Sequence, residues 1–390
     1  MNDLLTVVLT LKGREYFTLR WLWHHNRIKF PFKIIIADGQ VDPKLSSMIK
    51  NKSNFPELDY EYVEWADLSL QDYFLKCWKS VELVNTKYVR FADNDDFLSP
   101  EGLKQDVLFL ENNPVFVCTQ GAVVGFGIHK TDPQFPLVTG RLNSLRDRYN
   151  STYKNKEFNS ETPLDRAAEM ANDYHPLFYG VYRKEALRIV TQEIVVLAPE
   201  NLLVHEHFWS LRSVVLGKAS TRSSHISYYR QLETGYQFNE QNDWIHKVLR
   251  KNFTDDLKRM IGMLSASIQP SFTSVDNTDI SEKLWSAYES HTRKWIIKNY
   301  QRPKAWHLRL AKLKGRLVNV SRKPLMRERF FNKLSIAGIN RTSIDAYKDE
   351  LREIEKSLES SDLRQLLLEF SPNIESSKNK KELHPRRNLA

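Results

Sequence analysis

Four short apolar runs fill the first hundred residues, and each is followed by a helical pattern. Leu5 to Leu11, Phe32 to Ala37, Tyr60 to Val63 and Tyr88 to Ala92 have the length and β-prone content of buried strands. Between and after them, Glu15 to Ile28, Pro43 to Lys50, Ser69 to Val84 and Pro100 to Glu111 carry helical spacing. Strands that alternate with helices build a mostly parallel sheet covered on both faces, a Rossmann-like α/β class. In such sheets ligands bind in the crevice at the carboxyl ends of the strands. Two acidic positions fall there: Asp38, where the second run ends, and Asp93-Asn94-Asp95-Asp96, where the fourth run empties into a loop.

Three carboxylates within four residues are unfavourable unless a cation offsets them. Hard divalent ions, Mg²⁺ or Mn²⁺, prefer carboxylate oxygen and commonly bridge it to substrate phosphates. The same residues could instead form a solvated acidic turn that caps the helix starting at Ser99-Pro100.

A chain of 390 residues that is 41% hydrophobic suits one large α/β domain with an appendage. No run approaches the roughly 18 apolar residues that span a bilayer. Leu4 to Leu11 is too short for a signal-peptide core and lacks a basic leader. Cys77 and Cys118 sit in core-like segments and fit a reducing compartment better than a disulfide framework. A cytoplasmic protein, or one peripheral on the cytosolic face of a membrane, is expected.

Further strands are expected at Val115 to Thr119 and Ala122 to Phe126. Ile128 to Pro163 is polar and irregular and reads as a flap or inserted loop. Tyr179 to Ile189 reads as a short strand and helix, Asn201 to Leu216 as a helix carrying His205-Glu206-His207, and Ser220 to Arg230 as a strand carrying Arg222, His225 and Arg230. This places a catalytic domain at residues 1–240, a mainly helical, basic region at 241–375, and a disordered basic tail at 376–390. The net charge of +10 is concentrated: Arg293 to Lys333 holds fourteen Lys/Arg and one acid, Glu328. Trp306, Leu310, Leu313 and Leu317 share one helical face beside that charge. Tyr347, Leu351, Ile354 and Leu358 form a short heptad-like stripe.

In order and placement, these residues resemble the GT-A glycosyltransferases, especially the bacterial family 2 type. The features that carry the resemblance are Thr6-Val7-Val8-Leu9-Thr10 opening into Arg14-Glu15, Ile36-Ala37-Asp38-Gly39 closing the second strand, the Asp-X-Asp-Asp cluster after a strand, and a later helix with an acid, Glu206. The resemblance spans residues 4 to 230. It implies a GT-A fold and transfer of a sugar from a nucleotide-sugar donor to a glycan or lipid-linked acceptor, in synthesis of a bacterial surface polysaccharide or lipopolysaccharide. It implies that Asp38 contacts the nucleotide base, Asp93 the ribose or metal, and Asp95 the ion that bridges the diphosphate, with Asp96 assisting the metal or the acceptor.

An inverting transfer needs a carboxylate to take the acceptor's proton, and Glu206 is the candidate base. A plain helix-surface glutamate is the other reading, and a retaining mechanism would need no such base. The family often shows an acidic pair here, where this chain has His205-Glu206-His207. Those two histidines point to different helix faces and cannot easily share one metal. His24 and His25 read as structural or surface residues. A late histidine completes the metal shell in some GT-A enzymes, which makes His225 a candidate ligand. Arg222 and Arg230 suit a diphosphate, since guanidinium groups match phosphate oxygens, but plain surface arginines would look the same.

A basic amphipathic helix with Trp residues also suits an anionic membrane surface. The alternatives are a sugar-nucleotide pyrophosphorylase, which the single glycine of Leu11-Lys12-Gly13-Arg14 argues against, and a non-catalytic membrane-surface or nucleic-acid binder. No zinc pattern, helix-turn-helix spacing or RNA-binding aromatic motif supports nucleic acid.

Overall fold

The computed structural model describes residues 2–146, 155–232, 252–271, 277–300 and 341–371. Most of the basic block expected to meet a membrane, including the Trp306 to Leu317 stripe, and the 376–390 tail lie outside the described residues.

The alternation expected from the sequence is the one observed. β1 (Leu5–Leu11), α1 (Glu15–Arg27), β2 (Lys33–Asp38), α2 (Pro43–Lys50), β3 (Tyr60–Glu64), α3 (Leu70–Glu82), β4 (Tyr88–Ala92), β5 (Phe97–Leu98) and α4 (Pro100–Asn112) follow one another. Local chemistry sets the helix starts. Asp42 accepts from the Lys44 and Leu45 amides at 2.9 and 2.8 Å, with Pro43 at the first helical position. Ser69 and Asp72 form a reciprocal capping box. Ser99 caps α4 through the Gly102 amide at 2.9 Å, with Pro100 behind it.

The chain continues through β6 (Phe116–His129), β7 (Arg141–Arg146), β8 (Lys156–Phe158), α5 (Pro163–Asn172), β9 (Val181–Arg183), α6 (Lys184–Leu197), α7 (Leu202–Leu216) and β10 (Lys218–Gln231). The two strands expected around Gly121 are one long strand, β6. Part of the stretch read as a loop supplies β7 and β8. All ten strands among the described residues join one sheet whose spine runs β3-β2-β1-β4-β9-β6-β10-β5. Neighbours pair in parallel from β3 to β4, and again between β6 and β10; β9 is antiparallel to β4 and β6. The sheet is therefore mostly parallel, flanked by helices, with helical segments after it.

Side chains alternate across the sheet as the strand period of two requires. On one face Val8, Ile35, Val89 and Phe91 pack with α3, α6 and α7, and with residues of α8 (Phe253–Ile268) and α9 (Asn277–Tyr300). On the other face Val7, Leu9, Ile34 and Ile36 pack with α1, α2 and α4, and with Leu363, Leu367 and Phe370 of α11 (Ser361–Phe370). The heptad-like stripe Tyr347, Leu351, Ile354 and Leu358 lies on α10 (Arg341–Leu358). It is buried against Phe97, Phe126, Ile226 and Tyr229. Burying each such side chain contributes about 1.5–3 kcal/mol. The boundary expected near residue 240 lies outside the described residues, and α8 to α11 complete cores that the sheet begins.

Candidate active site

Asp93, Asp95 and Asp96 leave the carboxyl end of β4 and converge. One carboxylate oxygen from each lies within 4.8 Å of the others. The loop is held from below by contacts that the sequence did not reveal. Gly13 and Arg14, where β1 turns into α1, both have left-handed backbone (φ 64° and 60°). That conformation is costly for a residue with a Cβ. It brings the Arg14 guanidinium to 2.7 Å from Asp95 Oδ2. Asn94 donates to Thr18 Oγ1 at 2.9 Å. Arg20, fully buried on α1, donates to the Asp95 carbonyl at 2.9 Å and to Gln231 Oε1 at 2.7 Å, and stacks on Phe97 at 4.9 Å. Asp96 Oδ1 accepts from the Gln231 amide at 3.1 Å, and the Tyr179 hydroxyl donates to Asp93 Oδ2.

Burial, and then the neighbouring Asp95 charge, hold the carboxyls of Asp93 and Asp96 above the usual range. A divalent cation would reverse that repulsion. Three oxygen donors at this separation fit a hard ion such as Mg²⁺ or Mn²⁺.

The cluster opens onto a cleft of about 580 Å³, lined by residues 10–12, Arg14, residues 67–70, Tyr73, Lys76, residues 93–95 and Leu202. Its far wall is a buried ion pair. Lys76 Nζ lies 2.5 Å from Asp67 Oδ2 and donates to the Leu11 carbonyl at 2.8 Å. Lys12 Nζ reaches Asp67 Oδ1 at 2.6 Å. Gly39 permits this arrangement: a Cβ there would lie 2.4 Å from Asp67 Oδ2 and 2.5 Å from Lys76 Nζ. Asp67 lies just past the end of β3, as Asp38 ends β2 and Asp93 follows β4, so inspecting the end of every strand would have found it.

Asp38 is placed differently from its expected role. It is 1% exposed, and its carboxylate takes the Tyr62 hydroxyl at 2.8 Å and the Gln40 amide at 3.0 Å. Burial raises its pKa, against those two hydrogen bonds. It supports the wall and does not line the cleft; Asp67 is the acid that does.

Glu206 is exposed on α7. Leu202, one turn earlier on the same helix face, lines the cleft. The histidine neighbours of Glu206 are core residues. His205 packs on Phe74 at 4.8 Å, with burial pushing its pKa down to about 3. His207 Nδ1 meets the Tyr288 hydroxyl at 2.6 Å. His24 and His25 are likewise structural: His24 Nδ1 contacts Ser357 Oγ at 2.7 Å, and His25 Nδ1 the Trp21 carbonyl at 2.8 Å.

The structure does not bring His225 to the carboxylate cluster. Its Nε2 lies 2.8 Å from Asp106 Oδ1 and its Nδ1 3.2 Å from Ser224 Oγ, so both ring nitrogens are engaged on the α4 side of β10. The metal-ligand expectation for His225 is corrected accordingly. Arg222 and Arg230 line a separate, smaller pocket between β6 and β10; the Arg222 guanidinium lies over the Phe109 ring at 4.3 Å. Cys77 and Cys118 are buried free thiols. Among the described residues, no helix is long and apolar enough to cross a membrane.

No family model matches the sequence, and no curated protein matches it. Among solved structures the chain is similar to S. aureus TarS, with 12% identity over 94% of this chain and 52% of that one and a TM-score of 0.46. It is similar to residues 1–349 of TarS in complex with UDP-GlcNAc, with 14% identity over 94% and 87% of the two chains and a TM-score of 0.45. It is also similar to the mannosyltransferase PcManGT from Pyrobaculum calidifontis in complex with GDP-Man and Mn²⁺, with 11% identity over 91% and 86% and a TM-score of 0.37. The chain spans about half the length of the full TarS chain, 52%.

Proposed function

We propose that this chain is a divalent-metal-dependent glycosyltransferase that uses a nucleotide-sugar donor. The observation that carries the reading is the convergence of the Asp93, Asp95 and Asp96 oxygens within 4.8 Å at the mouth of a parallel sheet, beside a cleft large enough for a donor.

Asp93, Asp95 and Asp96 would hold the Mg²⁺ or Mn²⁺. That ion supplies positive charge against the oxygens of the departing diphosphate. The other roles fall to the chain itself. Arg14 and Lys12 place cationic side chains at the cleft, where a diphosphate would lie. Asp67 and Lys76 offer a fixed acceptor and donor to the nucleoside end. Glu206 would take the proton from the acceptor hydroxyl. The acceptor oxygen then bonds to the sugar anomeric carbon as the carbon–oxygen bond to the diphosphate breaks, and the configuration inverts. The charge of the 293–333 segment suits an anionic bilayer surface, where a lipid-linked acceptor of surface polysaccharide synthesis would be found.

The test is hydrolysis of a panel of UDP-, GDP-, CMP- and dTDP-sugars with Mn²⁺, with and without EDTA. Metal-dependent turnover of one donor by the wild type, lost in Asp95→Ala, is expected. No turnover and no binding of any donor would remove the reading.

A further inference from the structure

Behind Asp93 lies a second pocket that shares no lining residue with the cleft. Its walls include Gln120 of β6, Arg222, Tyr228 and Arg230 of β10, and Tyr179, and its volume is about 50 Å³. The Tyr179 hydroxyl, which donates to Asp93, joins the two spaces.

An irregularity in β10 makes this pocket. Arg222 pairs with Gly121 and Ile226 with Ala122, so residues 223–225 loop out opposite two adjacent positions of β6. Bulges of this kind re-aim side chains and often sit beside active sites. The strands are pressed together here: a Cβ on Gly121 would lie 2.4 Å from Ser227 Oγ and 2.5 Å from His225 Cδ2. Asp106 ties off His225 at 2.8 Å and Ser227 at 2.5 Å. The charged groups lining the pocket are Arg222, whose guanidinium lies over the Phe109 ring, and Arg230, whose charge also acts on the Asp93 and Asp96 carboxylates. Gln120 is 6% exposed, and its Oε1 accepts no hydrogen bond among the described residues. A buried acceptor left in that state is uncommon in a folded protein and calls for a partner.

The ligand chemistry follows from this set. The Arg222 guanidinium suits an oxyanion. The amide oxygen asks for a donor. A phosphate group answers both, since its charged oxygens accept from arginine and its P–OH donates to the amide. One water needs about 10–15 Å³ of such space, so the pocket takes one tetrahedral oxyanion and no sugar ring. We propose that this pocket binds a phosphate group carried by the acceptor, which makes the acceptor a phosphate-bearing saccharide or lipid-linked saccharide. The proposal rests on the glycosyltransferase reading. The donor's own diphosphate is the other source of the same chemistry.

The experiment is a ³¹P NMR titration of the full chain with inorganic phosphate, alongside calorimetric titration with UDP and GDP in Mn²⁺. Saturable phosphate binding is expected in the wild type. It should weaken about tenfold in Arg222→Gln, the scale of one charge-assisted hydrogen bond, weaken several-fold in Gln120→Leu, and recover in Arg222→Lys. Nucleotide binding should be unchanged in Gln120→Leu. Circular dichroism and thermal melting check folding, and Gln120→Leu with Arg222→Lys carries the test if Arg222→Gln is unfolded. The proposal is overturned if the wild type binds no phosphate saturably, or if the folded variants bind it as the wild type does. It is also overturned if nucleotide and phosphate binding fall together in Gln120→Leu, because the pocket would then belong to the donor. Donor hydrolysis by the wild type reports on the glycosyltransferase reading separately: a chain that binds phosphate here yet turns over no donor would keep the site and lose the function.

Discussion

The two ends of the loop from Asp93 to Ser99 hold acidic groups in opposite ways. At its start, Asp93, Asp95 and Asp96 crowd together, partnered by Tyr179, Arg14 and the Gln231 amide and offset in part by the Arg230 charge. At its end, Glu350 of α10 is supplied with donors, and the Glu101 carboxylate is only the last and smallest cause acting on its pKa. Its Oε1 accepts from Ser99 Oγ at 2.9 Å and from the Glu101 amide at 3.2 Å, and its Oε2 from the Tyr229 hydroxyl at 2.9 Å. Burial raises the pKa at both ends, to about 7 for Glu350. Only at the start does a neighbouring carboxylate add to the effect as the second cause. A single acid satisfied by three donors seals a helix against the sheet. Three acids facing one another leave a charge that a cation can answer, which is the ground of the proposed metal site.

The largest effects should come from breaking the crowded end. Asp95→Ala should lower metal-dependent donor turnover by about 10²–10³-fold, the scale of one lost electrostatic contact to the transition state, as read from steady-state rates at saturating Mn²⁺. Glu206→Gln should lower transfer by about 10²-fold or more while donor affinity holds, as expected for a lost general base. Equal transfer rates in mutant and wild type would end that role.

A smaller effect is expected at the cleft wall. Lys76→Met removes one partner of a buried ion pair, a change that costs about 3–5 kcal/mol when the remaining charge has no other partner. Lys12 still faces Asp67, so the loss in denaturant unfolding should fall at or below the low end. A variant as stable as the wild type would show that the pair is not held as the structure has it.

The sealed end gives the subtlest signal. Glu350 has a folded-state pKa raised to about 7, so the folded chain holds a proton that the unfolded chain releases near pH 4–5. Its contribution to stability is present at low pH and is lost as pH rises to about 7. The drop in melting temperature between pH 5 and pH 8 should therefore be smaller in Glu350→Gln than in the wild type. Parallel curves would mean that Glu350 does not titrate in this way.

The sequence made the sheet legible because each buried strand and amphipathic helix announces itself within a dozen residues. Ser69 and Ser99 mark helix starts, and the spacing of Tyr347, Leu351, Ile354 and Leu358 marks a buried face, although not the face it would cover. The acids at the ends of β2 and β4 were legible for the same local reason. The supports of the site were not. Arg14 and Arg20 reach Asp95 across some eighty residues of chain, and Tyr179 reaches Asp93 across eighty-six. No local pattern encodes contacts of that kind. His225 shows the converse: its position on a late strand suggested the metal site, but the bulge at residues 223–225 turned it toward Asp106.

The most direct measurement is an electron paramagnetic resonance titration of Mn²⁺ in the presence of UDP or GDP, on the wild type and Asp95→Asn. If the cluster at the end of β4 grips the ion, the wild type will bind one Mn²⁺ per chain with nucleotide, more tightly at pH 8 than at pH 5.5, and the variant will lose that site. Equal Mn²⁺ binding by both chains would contradict it.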